Sequence, residues 1–185
     1  MRRVDRYTFE SFKVDDSNRF AFKMAQDAAE DLGALINPLW IFGASGLGKT
    51  HLLNAIANRA AERSPDVTVG LWSAEELTAE LIKAYGDGRE DKWETVPRTD
   101  MLLIDDLNFL VGKKYTQEAF LSLIRSFVEE GRQIVMTSSV QPGELTELYD
   151  GIKTFEWGCL ADIRSLHTTA VSFFDKRTNR EVARL

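Results

Sequence analysis

Eight residues, Gly43-Ala44-Ser45-Gly46-Leu47-Gly48-Lys49-Thr50, constrain this chain more than any others. They fit the phosphate-loop pattern of Gly, four residues, Gly, Lys and Ser/Thr. A short apolar run, Leu39 to Phe42, precedes them and reads as a buried strand. A helical pattern, His51 to Ala60, follows, with Leu52, Leu53, Ile56 and Ala60 on one face. In this strand–loop–helix setting, glycines let backbone N–H groups turn inward around a phosphate chain, and the helix start adds partial positive charge. Gly43 through Thr50 are thus candidate cofactor-binding residues. Lys49 is read as reaching the β- and γ-phosphates, a catalytic as well as a binding role. The Thr50 hydroxyl is read as a Mg²⁺ ligand. His51 opens the helix beside the loop, where it either borders the nucleotide or serves local packing.

The rest of the chain alternates strand and helix signals. A helix capped by Asp16 or Ser17 runs through Phe20, Met24, Ala25, Ala28 and Leu32 and ends at Gly33. Val67 to Trp72 reads as a second strand. Ser73 and Glu76 form a capping box for a helix from Ala74 to about Ala84. After Gly86-Asp87-Gly88 a short polar helix resumes before Pro97. Met101 to Ile104 is a third strand, apolar throughout as a central parallel strand should be. Residues 115–130 carry Phe120, Leu123, Ile124, Phe127 and Val128 on one helical face. Ile134 to Met136 is a fourth strand. Pro142 opens a short helix broken by Asp150-Gly151, and Phe155 to Leu160 is a fifth strand. Residues 1–12, with Tyr7, Phe9 and Phe12, read as an irregular packed strap. The tail from Ser165 is ambiguous, with a helix burying Val171 and Phe174 as one reading.

Strands alternating with helices predict an α/β fold, a parallel sheet with helices on both faces. At 185 residues, one domain spanning 1–185 is expected. Ligands of such sheets sit beyond the carboxyl ends of the strands, and the remaining candidates fall there. The third strand ends in Asp105 and Asp106. Asp105 is the candidate that holds the metal's water shell, and Asp106 the candidate that orients an attacking water. Thr137-Ser138-Ser139 ends the fourth strand. Hydroxyls of Thr137 and Ser138 either contact the γ-phosphate or attacking water, or build the turn before Pro142.

Charge and cysteine content narrow the classes further. A net charge of −6 argues against a strongly basic nucleic-acid binder. Cys159 is the single cysteine, so no disulfide can form within the chain, and a reducing, cytoplasmic compartment is expected. No apolar run approaches membrane-spanning length, so no membrane association is expected. No cluster of His and Cys resembles a zinc site.

Taken in order, Tyr7-Thr8-Phe9-Glu10-Ser11-Phe12, Ser17-Asn18-Arg19-Phe20-Ala21, Gly43 to Leu53, Leu102 to Leu110 and Phe155-Glu156-Trp157-Gly158 resemble the AAA+ domain of the bacterial replication-initiator family of DnaA and its relative Hda. The resemblance covers roughly residues 7–163 and leaves 164–185 as a tail of uncertain structure. It implies a P-loop AAA+ αβα sandwich with a five-stranded parallel sheet. It also implies ATP or ADP with Mg²⁺, and sites completed between neighbouring subunits. Ser17 and Asn18 are then expected near the adenine. The family's small helical lid would follow the fifth strand, and it is expected to be missing here. The family's arginine finger immediately precedes the Phe155 stretch. Thr154 stands there, with Lys153 beside it as a poorer cation. The family's acidic strand end is Ser139 here.

Relatives also bind single-stranded DNA. Ile82, Lys83, Lys113, Lys114 and Tyr115 occupy or flank the matching places, and a tyrosine can stack on a base. The expected function is an ATP/ADP-binding regulator of chromosomal replication initiation. It would dock on another AAA+ subunit, the initiator or a second copy, and be at most a weak or partner-dependent ATPase. The alternative is a DNA-stimulated ATPase such as a helicase loader or transposition helper. A small-molecule kinase would need an acceptor pocket and an arginine-rich lid, and neither is evident.

Overall fold

The computed structural model describes residues 1–30, 32, 36–90, 92–93, 96–155, 158–164, 174–175 and 180–181. Its centre is five parallel strands: β1 (Leu39–Phe42), β2 (Val69–Ser73), β3 (Met101–Asp105), β4 (Gln133–Ser138) and β5 (Cys159–Asp162), in the order β2-β3-β4-β1-β5. β3 and β4 are buried along their whole length, which is why their central stretches, Met101–Ile104 and Ile134–Met136, read as apolar runs.

Period-two alternation sorts the side chains onto two faces. Leu39, Ile41, Leu103 and Val135 pack with Ala21 and Ala25 of α1 (Arg19–Glu30) and with Leu52 and Ile56 of α2 (Lys49–Arg63). Trp40, Leu102, Ile104, Ile134 and Met136 face the other way. They pack with Leu77 of α3 (Ala74–Gly86), Phe120 and Ile124 of α4 (Lys114–Glu129) and Leu148 of α5 (Thr146–Ile152). The molecule is an αβα sandwich, as expected. In this strand order β4 lies between β1 and β3, so the loops leaving β1, β3 and β4 converge on one edge of the sheet. No described helix is long and apolar enough to cross a membrane.

The strap is present. Asn54 accepts from Val4 N at 2.8 Å, and Asn58 Nδ2 donates to the Val4 and Tyr7 carbonyls at 3.1 and 2.9 Å. Phe9 is buried beneath it. The strap is thereby fastened to α2, the helix that follows the glycine-rich loop.

Four local expectations are corrected. The turn into α1 is built by Asp15, whose carboxylate accepts from Ser17 N and Ser17 Oγ. β2 starts at Val69, because Val67 N is bonded back to Ser64 O at 3.0 Å in a turn. Helix α5 runs through Asp150-Gly151 instead of breaking there. Gly151 is packed against α4, where a β-carbon would lie 2.1 Å from Leu121 Cδ2. β5 begins at Cys159, not Phe155. Phe155 N bonds Ile152 O at 3.0 Å and closes α5, while Cys159 N bonds Pro38 O at 2.9 Å and sets the register with β1.

In the tail, whose structure the sequence leaves open, Phe174 lies in β6 (Phe174–Asp175), paired antiparallel with β7 (Arg180–Glu181), and not on the helix that is one reading of it. The aromatic and β-branched content around it favours strand. Gly33, Glu156, Trp157 and Val171 lie outside the described residues, as do positions 91, 94 and 95 of the polar segment before Pro97. The described residues of that segment, 89, 90, 92, 93 and 96, form turns and bends and not the expected short helix.

Candidate functional site

Where β1 ends, Gly43 takes φ 146, and its N–H bonds Ser138 O at 3.2 Å. A β-carbon there would lie 2.0 Å from the Ile163 carbonyl oxygen. The loop then turns through Gly46 at φ 83 and Gly48 at φ 89, and Gly48 caps α2. Leu47 packs on the core below the loop. The result is an open cleft of about 500 Å³ at the carboxyl edge of the sheet. Its walls include Ser45, Gly46, Gly48, Lys49, Thr50, Asp105 and Asp106.

Lys49 is buried, and its Nζ donates to the carbonyls of Gly43 at 2.6 Å and Ala44 at 2.8 Å. Burial pushes its pKa below the ordinary lysine value, and the charges of Asp105 and Asp106 pull it back up. An anion entering the loop offers this ammonium better partners than two neutral carbonyls. Thr50 Oγ1 donates to Asp105 Oδ2 at 2.8 Å. These are two hard oxygen donors side by side, the chemistry that suits Mg²⁺, which keeps several waters and takes few protein ligands. No three His, Cys, Asp or Glu side chains gather into a metal site among the described residues. The residues present fit a Mg²⁺–nucleotide pair, for which Thr50 and Asp105 are the side chains that would hold the metal.

Asp106 follows at φ 65 and ψ 53, in the left-handed region, and its side chain borders the cleft. Thr137 is fully buried. It donates to Asp105 Oδ1 and accepts from Asp106 N at 3.1 Å. Thr137 also lines the cleft, with its one hydroxyl proton directed at Asp105. Ser138 is displaced from the expected role. Strand alternation turns it to the opposite face, where it accepts from Trp40 Nε1 at 3.0 Å and donates to Val140 O at 2.8 Å. Ser139 lines the cleft in its place.

His51 fastens the strap. Its Nε2 donates to Thr8 O at 2.9 Å and lies 3.2 Å from Ser11 Oγ, and its ring stacks on Tyr7 with centroids 4.7 Å apart. Tyr7 and His51 together form the cleft's outer wall. The role of Tyr7 has no local sequence signal, because it depends on where the strap lands. Ser17 and Asn18 build the turn before α1: Asn18 Oδ1 accepts from Asp15 N at 2.9 Å, and Ser17 O accepts from Arg164 N at 3.2 Å. Neither is among the cleft-lining residues.

At the far end of α5, Lys153 is held by Asp150 at 2.6 Å and lies 4.4 Å from the centre of the Tyr149 ring. The Asp150 hydrogen bond raises its pKa. The guanidinium of Arg125, from α4, donates to Thr154 Oγ1 at 3.4 Å. No local sequence signal connects these two residues, which α4–α5 packing brings together.

Among the surface candidates, Ile82 is 66% and Tyr115 84% exposed. Lys83 is exposed on α3. Lys113 Nζ lies over the Phe109 ring, and Lys114 pairs with Glu147 at 3.2 Å. Those two cations are partly engaged within the chain.

Known proteins resemble this chain in sequence and in fold. A family model described as the bacterial DnaA ATPase domain matches residues 4–162. The chromosomal replication initiator protein DnaA of Thermomicrobium roseum is 44% identical over 161 residues, covering 86% of this chain and 35% of that protein. The chain thus spans about a third of the length of the curated relatives it matches. Domain III of the Thermotoga maritima replication initiation protein DnaA superposes with a TM-score of 0.78 at 33% identity, covering 88% of this chain and 69% of that one. A replication initiator DnaA bound to AMPPCP and single-stranded DNA gives 0.74 at 34% identity, covering 85% and 50%.

Proposed function

Because this chain belongs to the bacterial DnaA ATPase domain family, we propose that it binds ATP or ADP with Mg²⁺ in the cleft. We further propose that it regulates replication initiation in the cytoplasm by docking on another AAA+ subunit. The observation that carries the reading is the Thr50–Asp105 pair beside a buried Lys49 at the mouth of a glycine-rich loop. A structurally similar replication initiator DnaA is bound to AMPPCP, which supports the choice of an adenine nucleotide.

In this reading the backbone N–H groups of residues 44–50 hold the phosphates. Lys49 leaves its two carbonyls for the β- and γ-oxygens. Thr50 and Asp105 hold the cation's coordination sphere, and the cation supplies charge neutralisation at the phosphates. Asp106 faces the cleft as the group that orients water. Ser17 and Asn18 remain candidates for the base-proximal end, at the turn before α1.

Catalysis by one chain alone is expected to be feeble. Thr154 carries no charge, and Lys153 is committed to Asp150. Arginine fingers are worth about 10³–10⁵ in rate where they act. The chain can therefore accept a neighbour's cation at its own cleft while offering a weak one in return. Single-stranded DNA contact through Ile82, Lys83, Lys113, Lys114 and Tyr115 is weak and salt-sensitive in this reading, given the net charge of −6.

The test is ATP turnover over a wide range of protein concentration, with Lys49→Ala as the blank. Turnover at the blank level throughout supports a nucleotide-gated docking module. A steep rise with concentration would mean that copies complete one another's sites and would defeat the one-sided docking reading. A rise driven by added single-stranded DNA would instead favour a DNA-stimulated ATPase.

A further inference from the structure

The strongest feature left over is the hydroxyl of Thr137. β3 and β4 run parallel with Leu103 opposite Val135 and Ile104 opposite Met136. One step further along, Asp105 and Thr137 meet. Thr137 Oγ1 donates to Asp105 Oδ1 and accepts the N–H of Asp106. A hydroxyl has a single proton, so this arrangement uses its donor and one of its acceptor positions on two adjacent residues with different tasks. The remaining Asp105 oxygen takes the Thr50 hydroxyl. That second bond is the one a metal competes for, because Thr50 is itself a candidate ligand. The Thr137 bond is not.

Asp106 depends on the same hydroxyl. A residue with a β-carbon stays in the left-handed region only where its surroundings hold it. Thr137 holds this one by its backbone N–H, from a position with no exposure to solvent.

We infer that Thr137 is a positioning residue: it fixes the Asp105 carboxylate for the metal and the Asp106 turn for the reacting water. This rests on the Mg²⁺–nucleotide reading of the cleft. Groups that orient a metal's ligands typically control about 10–100-fold of metal affinity or activity when removed.

The experiment titrates ADP into the full chain, with Mg²⁺ or with EDTA, and compares wild type with Thr137→Val and Thr137→Ser. Valine keeps the shape and loses both hydrogen bonds; serine keeps both bonds and loses a methyl group. The expected result is that Thr137→Val loses about tenfold or more of the Mg²⁺-dependent gain in affinity. Its affinity in EDTA should stay within about twofold of wild type, and Thr137→Ser should recover the gain.

Equal loss with and without metal, full retention of the gain, or failure of serine to recover it would each overturn the inference. A second measurement needs no variant. Hydrogen exchange should find the Asp106 amide protected in the wild-type chain, and exchange at the rate of an open loop would equally overturn the inference. A wild-type chain that binds no nucleotide at all would bring down the underlying reading. A wild-type chain that binds equally well with Mg²⁺ and with EDTA would bring down the metal half of that reading, whereas a metal-dependent gain that Thr137→Val leaves intact would sink the role of Thr137 alone.

Discussion

At Gly43 the chain leaves β1 with the Ile163 carbonyl against its α-carbon. Gly43→Ala forces a β-carbon into backbone that has little freedom to yield, in a φ range that L-residues rarely adopt. The expected cost is about 3 kcal/mol, read as a lower denaturant midpoint, and an unchanged midpoint would show that Ile163 yields freely. Cys159 gives a second residue-level prediction. Burial pushes its thiol up to about 12. At pH 8 the folded chain should react with a thiol reagent on the order of a thousandfold more slowly than the unfolded chain. The sign for stability follows. The unfolded thiol ionises at lower pH, so this contribution is intact below the ordinary value and is lost as the pH rises from 9.0 towards about 12. Parity of the two reaction rates would mean that the thiol is not buried in solution. Legibility at this scale is uneven. The loop residues and Asp105 are readable because their chemistry is a local pattern. The Gly43–Ile163 contact is not, since it joins positions far apart in the chain. Ser138 departs from its expected role although alternation along β4 foretells it: if Thr137 faces Asp105, then Ser139 shares its side and Ser138 does not.

Among the elements, β3 and β4 are legible as apolar runs and α4 as an amphipathic face, because each is specified by its own sequence. α5 is not, because Asp150-Gly151 looks like a stop. Its glycine is there so that α5 can approach Leu121 of α4. Gly151→Ala should cost about 1–2 kcal/mol in the wild-type background and less than about 0.5 kcal/mol once Leu121→Ala has made room. Equal penalties in both backgrounds would show that the close approach is not what the glycine serves. The start of β5 is hidden for a related reason. Phe155 reads as a strand residue, yet it packs against the core on the side of α5, and the β1–β5 register is set by the Pro38 carbonyl.

For the whole molecule, one arrangement links fold to proposed activity. The order β2-β3-β4-β1-β5 puts β4 between the loop-bearing strand and the acid-bearing strand. Thr50, Asp105 and Thr137 become one hydrogen-bonded chain only in that order. The strap adds an outer wall through Tyr7 and His51. That wall is beyond sequence reading, because it depends on Asn54, Asn58 and His51 capturing a segment with no regular structure of its own. The central claim is that this assembled cleft is an adenine-nucleotide site governed by Lys49. Its most direct test is a calorimetric titration of the wild-type chain and Lys49→Ala with Mg²⁺ and ADP. Saturable binding at one site per chain, weakened at least about tenfold by Lys49→Ala as expected for loss of a charged hydrogen-bond donor, is the predicted result. No saturable binding by the wild type, or equal binding by both chains, would contradict it.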